Sequence, residues 1–109
     1  MADRKLELVP LYDWGMFTEP RPSVIAGPCS AETKEQVMET AKGLKDLGIN
    51  VFRAGIWKPR THPGSFEGIG VEGLGWMQQV KKEYGLKIST EVASERHVFE
   101  CIKFGVDLV

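Results

Sequence analysis

The sequence predicts an α/β chain with a parallel sheet, and three observations carry that expectation. Short apolar runs rich in β-branched residues alternate with stretches whose apolar residues recur at helical spacing. All three helical stretches close on a glycine, and two of them open on a hydroxyl residue. The connections are short apart from one long loop after the second apolar run. Strands and helices in alternation fold as right-handed crossovers onto a parallel sheet.

The elements follow in order. Residues 1–22 are a lead-in marked by Pro10, Pro20 and Pro22, expected to form a small hairpin. "SVIAGP" reads as a buried strand that breaks at Gly27-Pro28. Ser30 or Thr33 can cap the helix that follows, and Thr33 with Gln36 fits the reciprocal capping box. Val37, Ala41, Leu44 and Leu47 form its apolar stripe, and Gly48 is placed to end it in the left-handed conformation. "INVFRAGI" reads as the second strand. After the long loop comes a helix over roughly residues 71–84, with Leu74, Met77, Val80 or Lys81, and Tyr84 on one face and Gly85 at its end. "LKISTEV" reads as the third strand; Ser94 caps a third helix that carries Val98 and Ile102 and closes at Gly105. "VDLV" begins a fourth strand.

Two folds dominate this alternation, the doubly wound sheet and the (β/α)8 barrel. No glycine-rich dinucleotide fingerprint follows the first strand, which weakens the first. A complete barrel needs about 250 residues. Residues 23–109 are therefore expected to be the first three βα units and the start of the fourth strand of a TIM barrel, a truncated piece with open sheet edges.

Bulk composition narrows the function classes. Lys and Arg number 14 against 15 Asp and Glu, a net charge of −1, so there is no general pull toward nucleic acid or an anionic membrane. No apolar run approaches the roughly 20 residues that span a bilayer, and "MADRKLELVP" lacks the apolar centre of a signal peptide. The expectation is a cytoplasmic protein. Its cysteines, Cys29 and Cys101, suit a reducing compartment and serve packing or ligation rather than a disulfide.

In both folds the chemistry lies at the carboxyl ends of the strands. Cys29 follows strand one, the loop "RAGIWKPRTHPGSF" follows strand two, and Glu91 ends strand three. The loop holds Arg53, Lys58, Arg60 and His62 and no acidic residue. If the backbone is extended through Pro59, Lys58 and Arg60 point the same way, and Pro59 stiffens that geometry. Thr61 adds a hydroxyl and a backbone N–H. An arginine fork and a compact ammonium suit a small, multiply charged anion; the alternative is a solvated basic loop. Cys29 reads equally as a small packed side chain, a metal ligand or a nucleophile. Cys101 is expected in the core and His97 on the surface. Trp14, Trp57 and Trp76 share no loop and read as packing residues.

"AGPCS", "FRAGIWKPRTHPGSFEG" and "STEV", in this order and spacing from about Pro22 to Val109, resemble the 3-deoxy-D-arabino-heptulosonate 7-phosphate (DAHP) synthase family. The match is to its branch related to 3-deoxy-octulosonate 8-phosphate synthase. The resemblance implies a barrel enzyme that condenses phosphoenolpyruvate with erythrose 4-phosphate and releases phosphate, at the entry to the shikimate pathway of aromatic amino acid biosynthesis. It implies that Cys29 ligates a divalent metal, with Mn, Fe, Co or Zn all suited to such a site. Arg53 and Lys58 would bind phosphoenolpyruvate, with Lys58 a proton donor. Arg60 and Thr61 would hold erythrose 4-phosphate, Arg60 at its phosphate. His62 stands where serine is common in the family. The sister enzymes, which use arabinose 5-phosphate, typically carry K-A-N-R where this chain has Lys58-Pro59-Arg60. The family's remaining metal ligands come from later strands, so the 109-residue chain alone is expected to be inactive and the complete protein a homo-oligomer. From another class, the chain could be a non-catalytic anion-binding module.

Overall fold

In the computed structural model, which describes residues 5–17, 23–59, 61–62 and 64–109, three strands and three helices alternate. They are β1 (Ile25–Ala26), α1 (Lys34–Asp46), β2 (Val51–Arg53), α2 (Val71–Tyr84), β3 (Lys87–Ser89) and α3 (Glu95–Lys103). The sheet is parallel in the order β1-β2-β3, with Ile25 opposite Val51 and Val51 opposite Lys87. Ser89 makes a further parallel bridge to Leu108, so the fourth apolar run does begin to pair. The strand order never reverses, and α1 packs against α2. Consecutive crossovers therefore lay their helices on one face of the sheet.

Burial explains the arrangement. Phe52, Ala54, Ile56 and Ile88 from the strands and their ends meet Val37, Ala41, Leu74, Met77 and Val80 from the helices, all fully buried. Each large apolar side chain withdrawn from water this way contributes about 1.5–3 kcal/mol before ordering costs. The helix ends follow the sequence. Thr33 Oγ1 accepts the Gln36 N–H (3.1 Å) and Gln36 Oε1 accepts the Thr33 N–H (3.4 Å), completing the capping box. Ser94 Oγ accepts the His97 N–H (3.3 Å) at α3. Gly48 and Gly85 both take positive φ, 84° and 66°, where the helices stop.

Several expectations need correction. The strands are shorter than the apolar runs, and the chain packs tightly just past β1, where a side chain at Gly27 would collide with the Arg53 carbonyl. Leu47 is 79% exposed, since α1 has already ended there. Val98 and Ile102 are exposed too, and α3 instead buries Cys101 with His97 and Phe104 half-buried beside it. Its inward face is thus one residue off the stripe that periodicity suggested. The lead-in forms no strand among its described residues; Leu11–Trp14 is a single 3-10 turn, and Trp14 Nε1 donates to the Val9 carbonyl (3.1 Å). Among the described residues, no helix is long and apolar enough to cross a membrane.

Candidate functional site

The site is assembled from the segments that leave β1, β2 and β3 at their carboxyl ends. Arg53 is the last residue of β2 and Glu91 stands two residues beyond β3. Both run off a strand whose preceding residues are locked in the core, so their side chains start from fixed points. Pairing continues past the strands. The Ala54 N–H donates to the Ser89 carbonyl (3.2 Å) and the Ala31 N–H to the Gly55 carbonyl (2.9 Å). Thr90, buried, donates its hydroxyl to the Ala54 carbonyl (2.8 Å). The long loop is pinned on itself as well, Lys58 N–H to the Glu67 carbonyl (2.7 Å) and Gly70 N–H to the Ile56 carbonyl (3.0 Å).

On this base four chemistry-bearing side chains converge. Lys58 Nζ lies 2.7 Å from Glu91 Oε1 and 3.5 Å from Cys29 Sγ. Arg53 Nη2 reaches Glu91 Oε2 at 3.5 Å. The Lys58 side chain is only 11% exposed, while that of Glu91 is 42% exposed. A largely buried ammonium therefore faces a carboxylate with an open side. Two cations on one carboxylate leave a net positive charge in a partly desolvated hollow, which favours an incoming anion. The cysteine is exposed and lies on the rim beside the ammonium.

Of the residues singled out in the sequence, Cys29, Arg53, Lys58 and Glu91 are brought together. Thr61 is not; it is exposed and lines a separate shallow cleft of about 280 Å³ with His62, Ser65 and Phe66. Arg60 lies outside the described residues. Among the described residues no three His, Cys, Asp or Glu side chains gather as a metal-binding group. A single thiol is one of the roughly four ligands a zinc-like ion needs, so these residues do not by themselves fit a divalent ion.

Other features escaped the sequence reading. His97 is not simply a surface residue. Its ring stacks on Trp57, with centroids 3.9 Å apart and planes 6° from parallel, and its Nδ1 accepts the Ala93 N–H (3.0 Å). The stack ties α3 to the loop after β2 and accounts for the rotated face of that helix. Glu91 as the counter-ion was also foreseeable in part. A loop with four basic residues and no acid must find its countercharge elsewhere, and "STEV" puts the one acidic residue of the third strand at its end. Cys101, buried in α3, has its thiol pushed above the ordinary value by burial and then by neighbouring Glu100.

Comparison with known proteins sets this site in a lineage. A phospho-2-dehydro-3-deoxyheptonate aldolase of Thermotoga maritima is 47% identical over 81 residues, which are 74% of this chain and 22% of that protein. A 2-dehydro-3-deoxyphosphooctonate aldolase of Vesicomyosocius okutanii is 42% identical over 84 residues, 71% of this chain and 30% of that protein. The chain thus spans under a third of the length of these curated relatives. The crystal structure of the Thermotoga maritima phospho-2-dehydro-3-deoxyheptonate aldolase (DAHP synthase) superimposes with a TM-score of 0.67 at 40% identity, over 73% of this chain and 22% of that one. A truncated form of 3-deoxy-D-arabino-heptulosonate 7-phosphate synthase from the same organism gives 0.59 at 34% identity, over 73% of this chain and 27% of that one. The family model for the DAHP synthetase I family matches residues 17–105, from the end of the lead-in to the close of α3, and with that span covered the chain belongs to the DAHP synthetase I family.

Proposed function

We propose that the full-length protein condenses phosphoenolpyruvate with D-erythrose 4-phosphate and releases inorganic phosphate, as a 3-deoxy-7-phosphoheptulonate synthase of aromatic biosynthesis. The observation that carries this reading is the convergence of Arg53 and Lys58 on Glu91 beside Cys29, at the carboxyl ends of three parallel strands. The strands would belong to a (β/α)8 barrel. The bridge from Ser89 to Leu108 sets the fourth run beside β3 and supports that closure, because the doubly wound order would set it beside β1.

In this reading Arg53 offers its guanidinium fork to the phosphate or carboxylate of phosphoenolpyruvate, and Lys58 its ammonium. Arg60 and Thr61 would hold erythrose 4-phosphate. The methylene carbon of phosphoenolpyruvate bonds to the aldehyde carbon of the sugar, whose oxygen takes up a proton, with Lys58 as donor. Water adds to the carbon left electron-poor, and its C–O bond to phosphate breaks. The chain's own contribution is to hold two mutually repelling anions together and to neutralise their charge, which is where much of such a barrier lies. Cys29 would give one donor to a divalent ion whose other ligands lie outside this chain, so the 109 residues alone would not turn over substrate. The full-length protein would be a homo-oligomer.

A second reading replaces erythrose 4-phosphate with arabinose 5-phosphate, and the phosphooctonate aldolase relative at 42% identity supports it. Lys58-Pro59-Arg60 favours the four-carbon sugar. Phosphate release from phosphoenolpyruvate by the full-length protein, with each sugar in turn and with and without a chelator, decides between them. Release with erythrose 4-phosphate alone is expected. Release with the five-carbon sugar alone would replace the substrate, and release with neither would remove the enzyme reading.

A further inference from the structure

The short contact between Lys58 and Glu91 raises a question of cause. Lysine is long and flexible, and an isolated, partly exposed ion pair holds such a side chain weakly. Yet Lys58 is folded back until its ammonium lies within 3.5 Å of Cys29 Sγ, and nearly nine-tenths of its side chain is out of solvent. That position also requires room beside Cys29 for the tip of the side chain.

The space above Gly55 supplies it. Gly55 is buried, and its backbone φ lies outside the left-handed region, so its lack of a side chain is not a demand of backbone conformation. A Cβ built there would collide with three atoms at once: the Cys29 carbonyl oxygen, Lys58 Nζ and Lys58 Cε. The methyl-sized volume at residue 55 is therefore already filled, from one side by the backbone of the turn after β1 and from the other by the tip of the Lys58 side chain. The Gly55 carbonyl accepts the Ala31 N–H (2.9 Å), which fixes the β1 turn over the same spot. Thr90, bonded to the Ala54 carbonyl, fixes the residue before it.

We propose that Gly55 is a positioning residue: it leaves the notch in which the Lys58 ammonium is seated beside Cys29 and Glu91. The notch, more than the salt bridge, sets where the ammonium sits. The consequence for substrate binding rests on the proposed role of Lys58; the consequence for the placement of Lys58 does not.

Two kinds of measurement on the full-length protein test this. The first reads Lys58 directly, as its rate of modification by an amine-reactive reagent, followed by peptide mass spectrometry with Lys82 and Lys103 as internal references. In Gly55→Ala, with secondary structure intact by circular dichroism, Lys58 modification should rise several-fold toward the reference lysines. In Glu91→Gln, which removes the ion pair and leaves the notch, it should stay close to wild type. Unchanged Lys58 modification in a folded Gly55→Ala protein overturns the proposal. So does a Glu91→Gln protein whose Lys58 reacts as fast as the references, and that arm remains decisive if Gly55→Ala does not fold.

The second reads phosphoenolpyruvate affinity in Gly55→Ala, Lys58→Met and the double variant. Gly55→Ala should weaken binding, and the double variant should be no weaker than Lys58→Met. Losses that multiply would mean Gly55 acts apart from Lys58 and would overturn the proposal. If Lys58→Met binds phosphoenolpyruvate as wild type does, the functional reading of Lys58 fails, while the modification rates still decide the placement.

Discussion

Among the described residues, two lysine–carboxylate pairs look alike by distance and differ in their surroundings. At the carboxyl ends of the strands, Lys58 meets Glu91 at 2.7 Å. At the far end of α2, where the helix turns into β3, Lys81 meets Asp107 at 3.0 Å. Asp107 is saturated by the fold. One oxygen takes Lys81, the other accepts the Ile88 N–H (2.9 Å), and its side chain is 16% exposed. Lys81 also donates to the Gly105 carbonyl (2.9 Å). Glu91 shows no backbone donor among the described residues; two cations share it and one side stays open to solvent. The Asp107 arrangement locks a helix, a turn and a strand together. The Glu91 arrangement leaves two cations on one half-open carboxylate, which another anion can replace. Hydrogen-bond saturation, rather than the short distance, separates the two pairs.

The largest effect that would break this contrast is on catalysis. On the proposed role of Lys58, Lys58→Met in the full-length protein should lower kcat/KM for phosphoenolpyruvate by about a hundredfold or more. Its unfolding free energy should move by less than about 1 kcal/mol, the ordinary worth of a partly exposed pair. Lys81→Met, assayed beside it, should leave kcat/KM per folded molecule unchanged. Equal kinetic losses in the two variants would show that the pairs do not differ in function. Next comes Asp107→Ala, which strands the Ile88 N–H and should cost about 1–3 kcal/mol in chemical denaturation. A stability equal to wild type would show that the clamp holds nothing.

A smaller effect sharpens the contrast by separating location from saturation. Thr90 sits in the half of the molecule that carries the site, yet its hydroxyl is buried and spent on the Ala54 carbonyl. Thr90→Val keeps the shape and removes the bond, so it should cost about 1 kcal/mol or a little more. Denaturation at the wild-type midpoint would mean that the root of the long loop is held by packing alone.

The same distinction explains what the sequence could and could not reveal. Local rules made the skeleton legible. The Thr33–Gln36 capping box, the glycines after α1 and α2, and the Leu74, Met77 and Val80 stripe are each written within a few residues, and the structure repeats them. Cys29, Arg53 and Lys58 were legible as a cluster because alternation of strands and helices sends the loop after each strand to one end of the sheet. Features made by two distant segments were not legible. The facing of α3 goes with His97 stacking against Trp57, which periodicity within the helix cannot encode; Val98 and Ile102, the apolar residues noted in that helix, lie outward. The notch at Gly55 depends on the carbonyl of Cys29 crossing over it, which no pattern within "INVFRAGI" encodes. Thr61 is close to Lys58 and Pro59 in sequence, but the loop carries it to a different cleft.

The smallest effect belongs to the clamp end and depends on pH. Cys101 is buried against the core, and its carbonyl accepts the Val106 N–H (2.9 Å), one residue before Asp107. Burial, and then the charge of Glu100, raise its thiol above the ordinary value of 9.0. The neutral thiol is thus favoured in the folded chain relative to the unfolded one. Below the ordinary value both states hold the proton and the stability from this group is fully present. As pH climbs past it, the unfolded chain ionises first, binds fewer protons than the folded chain, and gains free energy of ionisation that the folded chain lacks. Stability therefore falls until the folded thiol also ionises. Thermal unfolding of wild type and Cys101→Ala, each at about pH 8 and about pH 10, isolates the contribution, because the lysines and tyrosines that titrate in that range are common to both. Wild type should lose more of its midpoint temperature than the variant over this interval. An equal loss would mean that the thiol gains enough solvent or positive charge in the folded protein to ionise as it does in the unfolded chain, and that the clamp end is looser than the saturated hydrogen bonds of Asp107 imply.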